Sequence, residues 1–394
     1  MTAAKLAMAG RMKMLGTESA FEVLARAAAL QRQGRDIINL GIGQPDFPTP
    51  PHIVEAAQKA LADGQHGYTP ANGILPLREA VAADLHRRHG VRVSPDRVLI
   101  VPGGKVTMFF AILMFGEAGT EIIYPNPGFP IYESVIRFSG ATPVAMPLHE
   151  AKGFSFNAEE VLGLVTPKTR LIILNSPANP TGGAVPKGEM DRLVAGLARQ
   201  PQVAILSDEI YGEMLYDGQK HVSLTTYPEI ADRLILLDGW SKTYAMTGWR
   251  LGYGVWPEAL FAHAERLAIN DHSCVNAAAQ YAGLAALQGP REPVERMVAA
   301  FAERRAYIIP ALNALPRFRC ANPGGAFYAF PNIEGTGMDS RTLQSRLLEE
   351  CGVATVSGTS FGEFGSGHLR FSYAASLDQI KTAIGRIGDW LKEK

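Results

Sequence analysis

Short apolar runs that alternate with helical stretches most constrain the fold of this 394-residue chain. The runs cover residues 98–101, 121–124, 142–146, 171–174, 203–206, 234–237 and 253–256. Most of them show no polar alternation, which is typical of strands that are buried on both faces of a mainly parallel sheet. The alternation of these strands with helices predicts an α/β domain.

The pattern changes after Gly289-Pro290. A long charged helix over 292–315 is followed by short strands around 325–330, 353–356 and 368–373 and a final helix over 377–391. Because 394 residues exceed what one core usually serves, we expect two domains. We predict an N-terminal arm (1–48) that joins the small domain, a large domain (49–289) and a small α+β domain (290–394).

Composition argues against several kinds of partner. Lys+Arg and Asp+Glu both number 38, so the zero net charge gives no reason to expect nucleic acid or an acidic membrane surface. Basic residues interrupt the N-terminal segment, which fits neither a signal peptide nor a membrane span. Cys274, Cys320 and Cys351 form no CxxC pair, which predicts buried thiols in a reducing cytosol, without a metal site. We therefore expect a cytoplasmic protein.

Polar or glycine-containing motifs follow four of the apolar runs. They are Gly103-Gly104, Asn175, Asp208 and Ser241-Lys242. Because ligands in open α/β sheets bind at the carboxyl ends of the strands, four strand ends point to one site.

Lys242 is the candidate nucleophile, although most lysines after a strand are simply solvated. Burial lowers the pKa of a lysine and makes its amine reactive toward carbonyls. Ser241 can donate one hydrogen bond and Arg250 a pair, which suits a phosphate. Exposed amides at Gly103-Gly104, between a strand and a helix, would favour the same anion.

Asp208 has two interpretations. It either caps the next helix or keeps the pyridine nitrogen of a bound cofactor protonated. Tyr211 would share its helical face if a helix begins there. Asn179 lies in an Asn-Pro-Thr-Gly turn, where asparagine is usually structural, but it could also donate to the cofactor ring.

Arg370 falls within a predicted strand of the small domain. A buried arginine is costly unless it is paired, so either a protein carboxylate or the carboxylate of a substrate is its expected partner.

Together, SDEIY (207–211), NPTG (179–182), SKTYAMTGWR (241–250), GGK (103–105) and HLRFSYA (368–374) resemble the class I aminotransferases of pyridoxal phosphate (PLP) fold type I, the aspartate aminotransferase superfamily. The resemblance runs from GQPDF at Gly43 to the C-terminal helix. It implies a large PLP-binding domain with a mainly parallel sheet, and a smaller α+β domain. It also implies a PLP enzyme that transfers an amino group from an L-amino acid to a 2-oxo acid by a ping-pong mechanism.

The same resemblance implies roles for individual residues. Lys242 would form the Schiff base and move the proton, Asp208 would pair with the pyridinium nitrogen, and Asn179 and Tyr211 would contact the 3-oxygen. Gly103, Gly104, Lys105, Ser241 and Arg250 would surround the phosphate.

Substrate and subunit contacts are implied as well. Arg370 would bind the substrate α-carboxylate, with Gly43 and Asn179 nearby. Tyr68, in HGYTPANG, is similar to the tyrosine that reaches the phosphate of the neighbouring subunit, which implies a homodimer with shared active sites.

Two departures leave the amino donor open. Phe129 stands where the family often has Trp or Tyr, and it can stack on the ring without donating a hydrogen bond. Dicarboxylate-specific members carry an arginine from the partner subunit, but the segment 267–275 has none. Asn270 and His272 could line the pocket instead.

Three alternative functions differ from this one in the sequence features that they require. The same fold hosts C–S lyases, decarboxylases and synthases, so a different PLP reaction is the first alternative. A regulatory module with an aminotransferase-like half would need an added basic DNA-binding domain, for which the chain has no room. A dinucleotide-dependent oxidoreductase would need a GxGxxG motif after the first run, which is absent.

Overall fold

The computed structural model describes residues 6–393, so the first five residues of the predicted N-terminal arm lie outside the described residues. The described part contains twelve α-helices, and the two predicted over 292–315 and 377–391 are observed at 292–314 and 377–392. They are α1 (Ser19–Arg32), α2 (Pro51–Ala62), α3 (Leu75–His89), α4 (Lys105–Phe115), α5 (Ile131–Ser139), α6 (Ala158–Gly163), α7 (Lys187–Leu197), α8 (Glu258–Asp271), α9 (Ala277–Gln288), α10 (Glu292–Ala314), α11 (Ser340–Cys351) and α12 (Leu377–Lys392).

Strands account for most of the remaining regular structure. They are β1 (Ile38–Asn39), β2 (Val98–Val101), β3 (Glu121–Asn126), β4 (Thr142–Pro147), β5 (Thr169–Asn175), β6 (Ala204–Asp208), β7 (Leu234–Gly239), β8 (Gly252–Val255), β9 (Tyr328–Ala329), β10 (Val353–Ala354), β11 (Val356–Ser357) and β12 (Leu369–Ser372).

Seven strands form the central sheet, in the order β2-β8-β7-β6-β5-β3-β4. Only β8 runs antiparallel to its neighbours in this sheet. The prediction of an α/β fold with a mainly parallel sheet is therefore confirmed. Helices cover both faces, which explains why the strand runs lack polar alternation.

Residues of β2 show how the two faces are filled. Val98 and Ile100 pack with helices α2, α3 and α9, whereas Leu99 and Val101 pack with α4, α5 and α8. Successive side chains of a strand point to opposite faces, so an uninterrupted apolar run supplies both cores. All four side chains are fully buried.

The chain after residue 289 packs around two small sheets. One is antiparallel, in the order β11-β12-β9, and the other pairs β1 with β10 in parallel. The helices there have clear ends: the Asp339 side chain caps α11, Gly352 in the left-handed conformation ends it, and Ser376 with Gln379 forms a capping box on α12.

No helix within residues 6–393 combines the length and hydrophobicity that crossing a membrane requires.

Close backbone packing at Gly252 holds β8 against the turn that precedes α4. A Cβ atom at Gly252 would lie 2.3 Å from the amide nitrogen of Gly104, which is backbone and cannot move aside. We expect Gly252→Ala to lower the free energy of unfolding by about 1–3 kcal/mol. Gly385→Ala is the control because no atom lies within 4 Å of its added methyl group, and alanine favours helix α12. Equal denaturant midpoints for the two variants would contradict this view of the packing.

Candidate active site

A cavity of about 510 Å³ opens at the carboxyl edge of the parallel strands. Its walls come from segments that are far apart in the sequence. They include Gly43, Gly104, Lys105, Phe129, Asn179, Asp208, Tyr211, Ser241, Lys242, Arg250 and Arg370. The structure therefore brings most of the predicted site residues together.

Lys242 lies just after β7 and presents its amine to the cavity. Its Nζ donates a 2.5 Å hydrogen bond to the carbonyl oxygen of Gly43. Burial lowers the pKa of Lys242 to about 8, and the charges of Arg370 and Arg250 act in the same direction. A larger fraction of this amine is consequently unprotonated and nucleophilic near neutral pH than for an exposed lysine.

Asp208 is the last residue of β6 and is 8% exposed. The Tyr132 hydroxyl donates to its Oδ2 at 2.6 Å, and the Ile210 amide donates to Oδ1 at 3.3 Å. Burial raises the pKa of Asp208 to about 6, although these two hydrogen bonds oppose the rise. A cationic ring nitrogen would give this carboxylate the opposite charge that it lacks here.

No helix begins after Asp208, because residues 210–213 form turns. The expected helical face shared by Asp208 and Tyr211 is therefore wrong, as is the idea that Asp208 caps a helix. Tyr211 reaches the cavity through the turns, and its hydroxyl lies 2.7 Å from that of Tyr328. Burial raises the pKa of Tyr211 well above its ordinary value.

Arg370 lies in β12 and is 3% exposed. Its Nη1 donates to Asn179 Oδ1 at 2.9 Å, and its Nη2 donates to the carbonyl oxygen of Gly41 at 2.5 Å. Among the described residues, no carboxylate pairs with it, and its Nε has no hydrogen-bond partner. A buried guanidinium with spare donors at a cavity wall fits the carboxylate of a small ligand.

The Gly103-Gly104 turn leads into the N-terminus of α4, with φ +94° at Gly103. A Cβ at Gly103 would lie 2.2 Å from Nη2 of Arg250, so only glycine lets the guanidinium approach the turn. Arg250 is itself held in the left-handed conformation, and its Nη1 donates to the Thr247 carbonyl oxygen at 2.8 Å. Free helix amides beside this guanidinium and Ser241 fit a phosphate group.

Lys105 contributes more than its backbone to the cavity. Its Nζ forms an ion pair with Oε1 of Glu18, which precedes α1. The ammonium also lies 5.2 Å from the centre of the Phe129 ring.

Besides Gly103, which adjoins the lining residue Gly104, three sequence candidates do not line the cavity of their own chain. Tyr68 is 94% exposed. Asn270 is exposed and bonds to the Arg266 carbonyl oxygen, and the His272 ring stacks on Phe110. A place in an active site would require these residues to reach the cavity of a second copy.

The cavity wall also contains three residues that were not among the predicted ones, namely Glu18, Tyr132 and Tyr328. Tyr132 follows Phe129 by three residues, and this spacing could have indicated a second aromatic residue on the same wall. Nothing in the local sequence indicates that Glu18 or Tyr328 reaches the cavity, because both come from distant segments.

A partly buried amine, a buried carboxylate and a phosphate cradle at the carboxyl edge of an α/β sheet are features of enzymes that hold a phosphorylated aromatic aldehyde. Residues 35–387 match the family "Aminotransferase class I and II". The chain is 36% identical to an aspartate aminotransferase of Geobacillus stearothermophilus, over 98% of this chain and 99% of that protein. It is 35% identical to aromatic-amino-acid aminotransferase 2 of Thermococcus litoralis, over 99% of each protein.

Solved structures agree with the sequence matches. The crystal structure of an aspartate aminotransferase from Rhizobium meliloti superimposes with a TM-score of 0.93, at 32% identity, over 98% of this chain and 99% of that one. The chain belongs to the class I and II aminotransferase family. It is a PLP-dependent enzyme that transfers amino groups.

The raised pKa of Asp208 makes stability depend on pH in the cofactor-free protein. Because the fold favours the protonated carboxyl group, its contribution is full below pH 4 and is lost as pH rises through about 6. Asp208→Asn removes this loss, so we expect the variant to gain about 2–3 kcal/mol of stability relative to wild type between pH 4 and 7.5. Denaturant unfolding at each pH measures the difference. The exposed Asp63→Asn controls for loss of one carboxylate, and a pH-independent difference for Asp208→Asn would refute the assignment.

Proposed function

We propose that this enzyme moves an amino group from an L-amino acid to a 2-oxo acid in two half-reactions, with Lys242 as the acting amine. The observation that carries the proposal is that Lys242, Asp208 and Arg370 line one cavity, in which Asp208 and Arg370 are buried and Lys242 is partly buried. When bound, PLP supplies an aldehyde that joins amines covalently and a ring that accepts electrons from the substrate Cα.

Lys242 would hold the cofactor and, as a free amine, would move a proton to and from the substrate Cα. Its pKa of about 8 suits both directions of this transfer near neutral pH. Asp208 keeps the ring nitrogen protonated. Tyr132 supports Asp208 by donating to Oδ2.

The remaining residues bind and orient. Arg370 would bind the α-carboxylate through the remaining N–H groups of Nη1 and Nη2, with Asn179 and the backbone near Gly43 beside it. Asn179 and Tyr211 contact the 3-oxygen, and Phe129 stacks on the ring. Gly103, Gly104 and Lys105, mainly through their backbone amides, would surround the phosphate together with Ser241 and Arg250.

The active form is proposed to be a homodimer with shared sites. Tyr68 is almost fully exposed, and a second groove borders Arg250 and is lined by apolar side chains of α2 and α9. A tyrosine from a second copy that enters beside Arg250 would complete the phosphate site.

The division into an arm (1–48), a large domain (49–289) and a small domain (290–394) remains our proposal. The pairing of β1 with β10 supports an arm that joins the C-terminal part. A cytoplasmic location is also proposed, because Cys274, Cys320 and Cys351, all within the described residues, form no disulfide.

Lys242→Ala tests the central assignment. We expect borohydride treatment followed by peptide mapping to label Lys242 in the wild type and no other lysine in the variant. Turnover should fall by about 10²–10⁴-fold or more because the general acid–base is lost. The exposed Lys220→Ala is the matched control. An unlabelled Lys242 in the wild type, or normal turnover by the variant, would overturn the proposal.

A single-substrate assay separates amino-group transfer from the lyase and decarboxylase alternatives. With an amino acid alone, a transferase stops after one turnover per site, whereas a lyase continues. Continuous product release without a 2-oxo acid would contradict the two half-reactions.

Subunit mixing tests the shared site. If Lys242 of one subunit works with Tyr68 of the other, a Lys242→Ala/Tyr68→Ala heterodimer has one intact site and one site with both changes. Random reassortment should then restore about a quarter of wild-type activity. If the mixture of the two variants stays inactive after subunit exchange has been verified, Lys242 and Tyr68 act in the active site of their own chain.

A further inference from the structure

Six charged side chains line the cavity: Glu18, Lys105, Asp208, Lys242, Arg250 and Arg370. The proposed function, on which this inference rests, uses four of them: Lys242 for proton transfer, Asp208 for the ring, Arg250 for the phosphate and Arg370 for the α-carboxylate. The remaining two charges, Glu18 and the Lys105 ammonium, are paired with each other.

An anion beside the Lys105 ammonium is electrostatically favourable. Lys105 is the first residue of α4, and the positive end of the helix dipole disfavours a cation there. Its ammonium lies over the Phe129 ring at the wall of the cavity, and its side chain is 44% exposed.

The Glu18 carboxylate supplies that anion. Glu18 occupies the N-cap position of α1, and its side chain makes no capping hydrogen bond. It reaches Lys105 instead, and its side chain is only 16% exposed. Its charge is felt at the reacting amine: burial and the two arginines lower the pKa of Lys242, whereas Glu18 raises it.

The surroundings of this ion pair are apolar. Ala20 and Phe21 follow Glu18 in the chain and also line the cavity. Met108 lies one helical turn after Lys105, and Phe129 lies beneath the ammonium.

We propose that Glu18 is a specificity-determining residue that occupies Lys105 and so selects amino acids with apolar side chains over dicarboxylic ones. Among the described residues of this chain, the cavity then keeps no spare cation for a second carboxylate. A second carboxylate would have to displace Glu18 from Lys105 and would meet its negative charge.

The test compares two unreactive probes on the PLP-loaded enzyme by calorimetric titration. Maleate is the dicarboxylate and 3-phenylpropionate is the apolar monocarboxylate. We expect the wild type to prefer 3-phenylpropionate. In Glu18→Gln and Glu18→Ala, the ratio of the two dissociation constants should shift toward maleate by about tenfold or more, because Lys105 becomes available for a charge-assisted hydrogen bond.

Two further variants sharpen the result. Glu18→Asp keeps the charge and should keep the wild-type preference. Glu22→Gln removes an exposed carboxylate from the same end of α1, outside the cavity, and should leave the ratio unchanged. A wild type that prefers maleate, or a ratio that shifts less than twofold in both Glu18→Gln and Glu18→Ala, would overturn the inference.

The outcome of this experiment can be distinguished from a failure of the proposed function. Neither probe carries an amino group, so the titration does not depend on turnover. If borohydride labels Lys242 but the probe ratio does not respond to Glu18, only the specificity assignment is lost. If Lys242 is unlabelled, the proposed function itself is lost.

Discussion

The site depends on ionisable groups that the fold holds away from water at one edge of the sheet. Removing a charge from water is costly unless hydrogen bonds or an opposite charge compensate. Lys242 has a backbone carbonyl, Asp208 has the Tyr132 hydroxyl and Arg370 has Asn179 with another carbonyl. These partners are neutral, so each charge remains only partly compensated, and cofactor and substrate can provide the missing charges.

Asp208 and Glu209 show how strongly the partner of a buried carboxyl group determines its pKa. Asp208 and Glu209 are adjacent and both are buried, which by itself raises the pKa of each. Glu209 has His221 at 2.7 Å, and this partner, together with Ser207, lowers its pKa to about 2. Asp208 has no cation beside it, and its pKa rises to about 6. Glu209 is thus satisfied within the protein, whereas Asp208 is left available for a ligand.

Much of this arrangement could be predicted from the sequence. The apolar runs located the strands because burial on both faces removes polar alternation, and the residues directly after them, such as Asp208 and Lys242, proved to share one cavity. The helix expected after Asp208 was wrong, because the chain there forms turns that bring Tyr211 under Tyr328. The helix propensity of a segment does not depend on such a tertiary contact. Glu18 and Tyr328 were missed for the same reason.

The sequence alone determined the class of fold, the order of the elements and the motifs around Lys242, since these follow from local periodicity and from residues close together in the chain. Tertiary structure alone decided which partner each charged side chain of the cavity has. Glu18 meets Lys105 and Arg370 meets Asn179 across 87 and 191 residues of sequence. Such long-range contacts are set by how the helices and sheets pack, and they fix the electrostatic balance of the cavity.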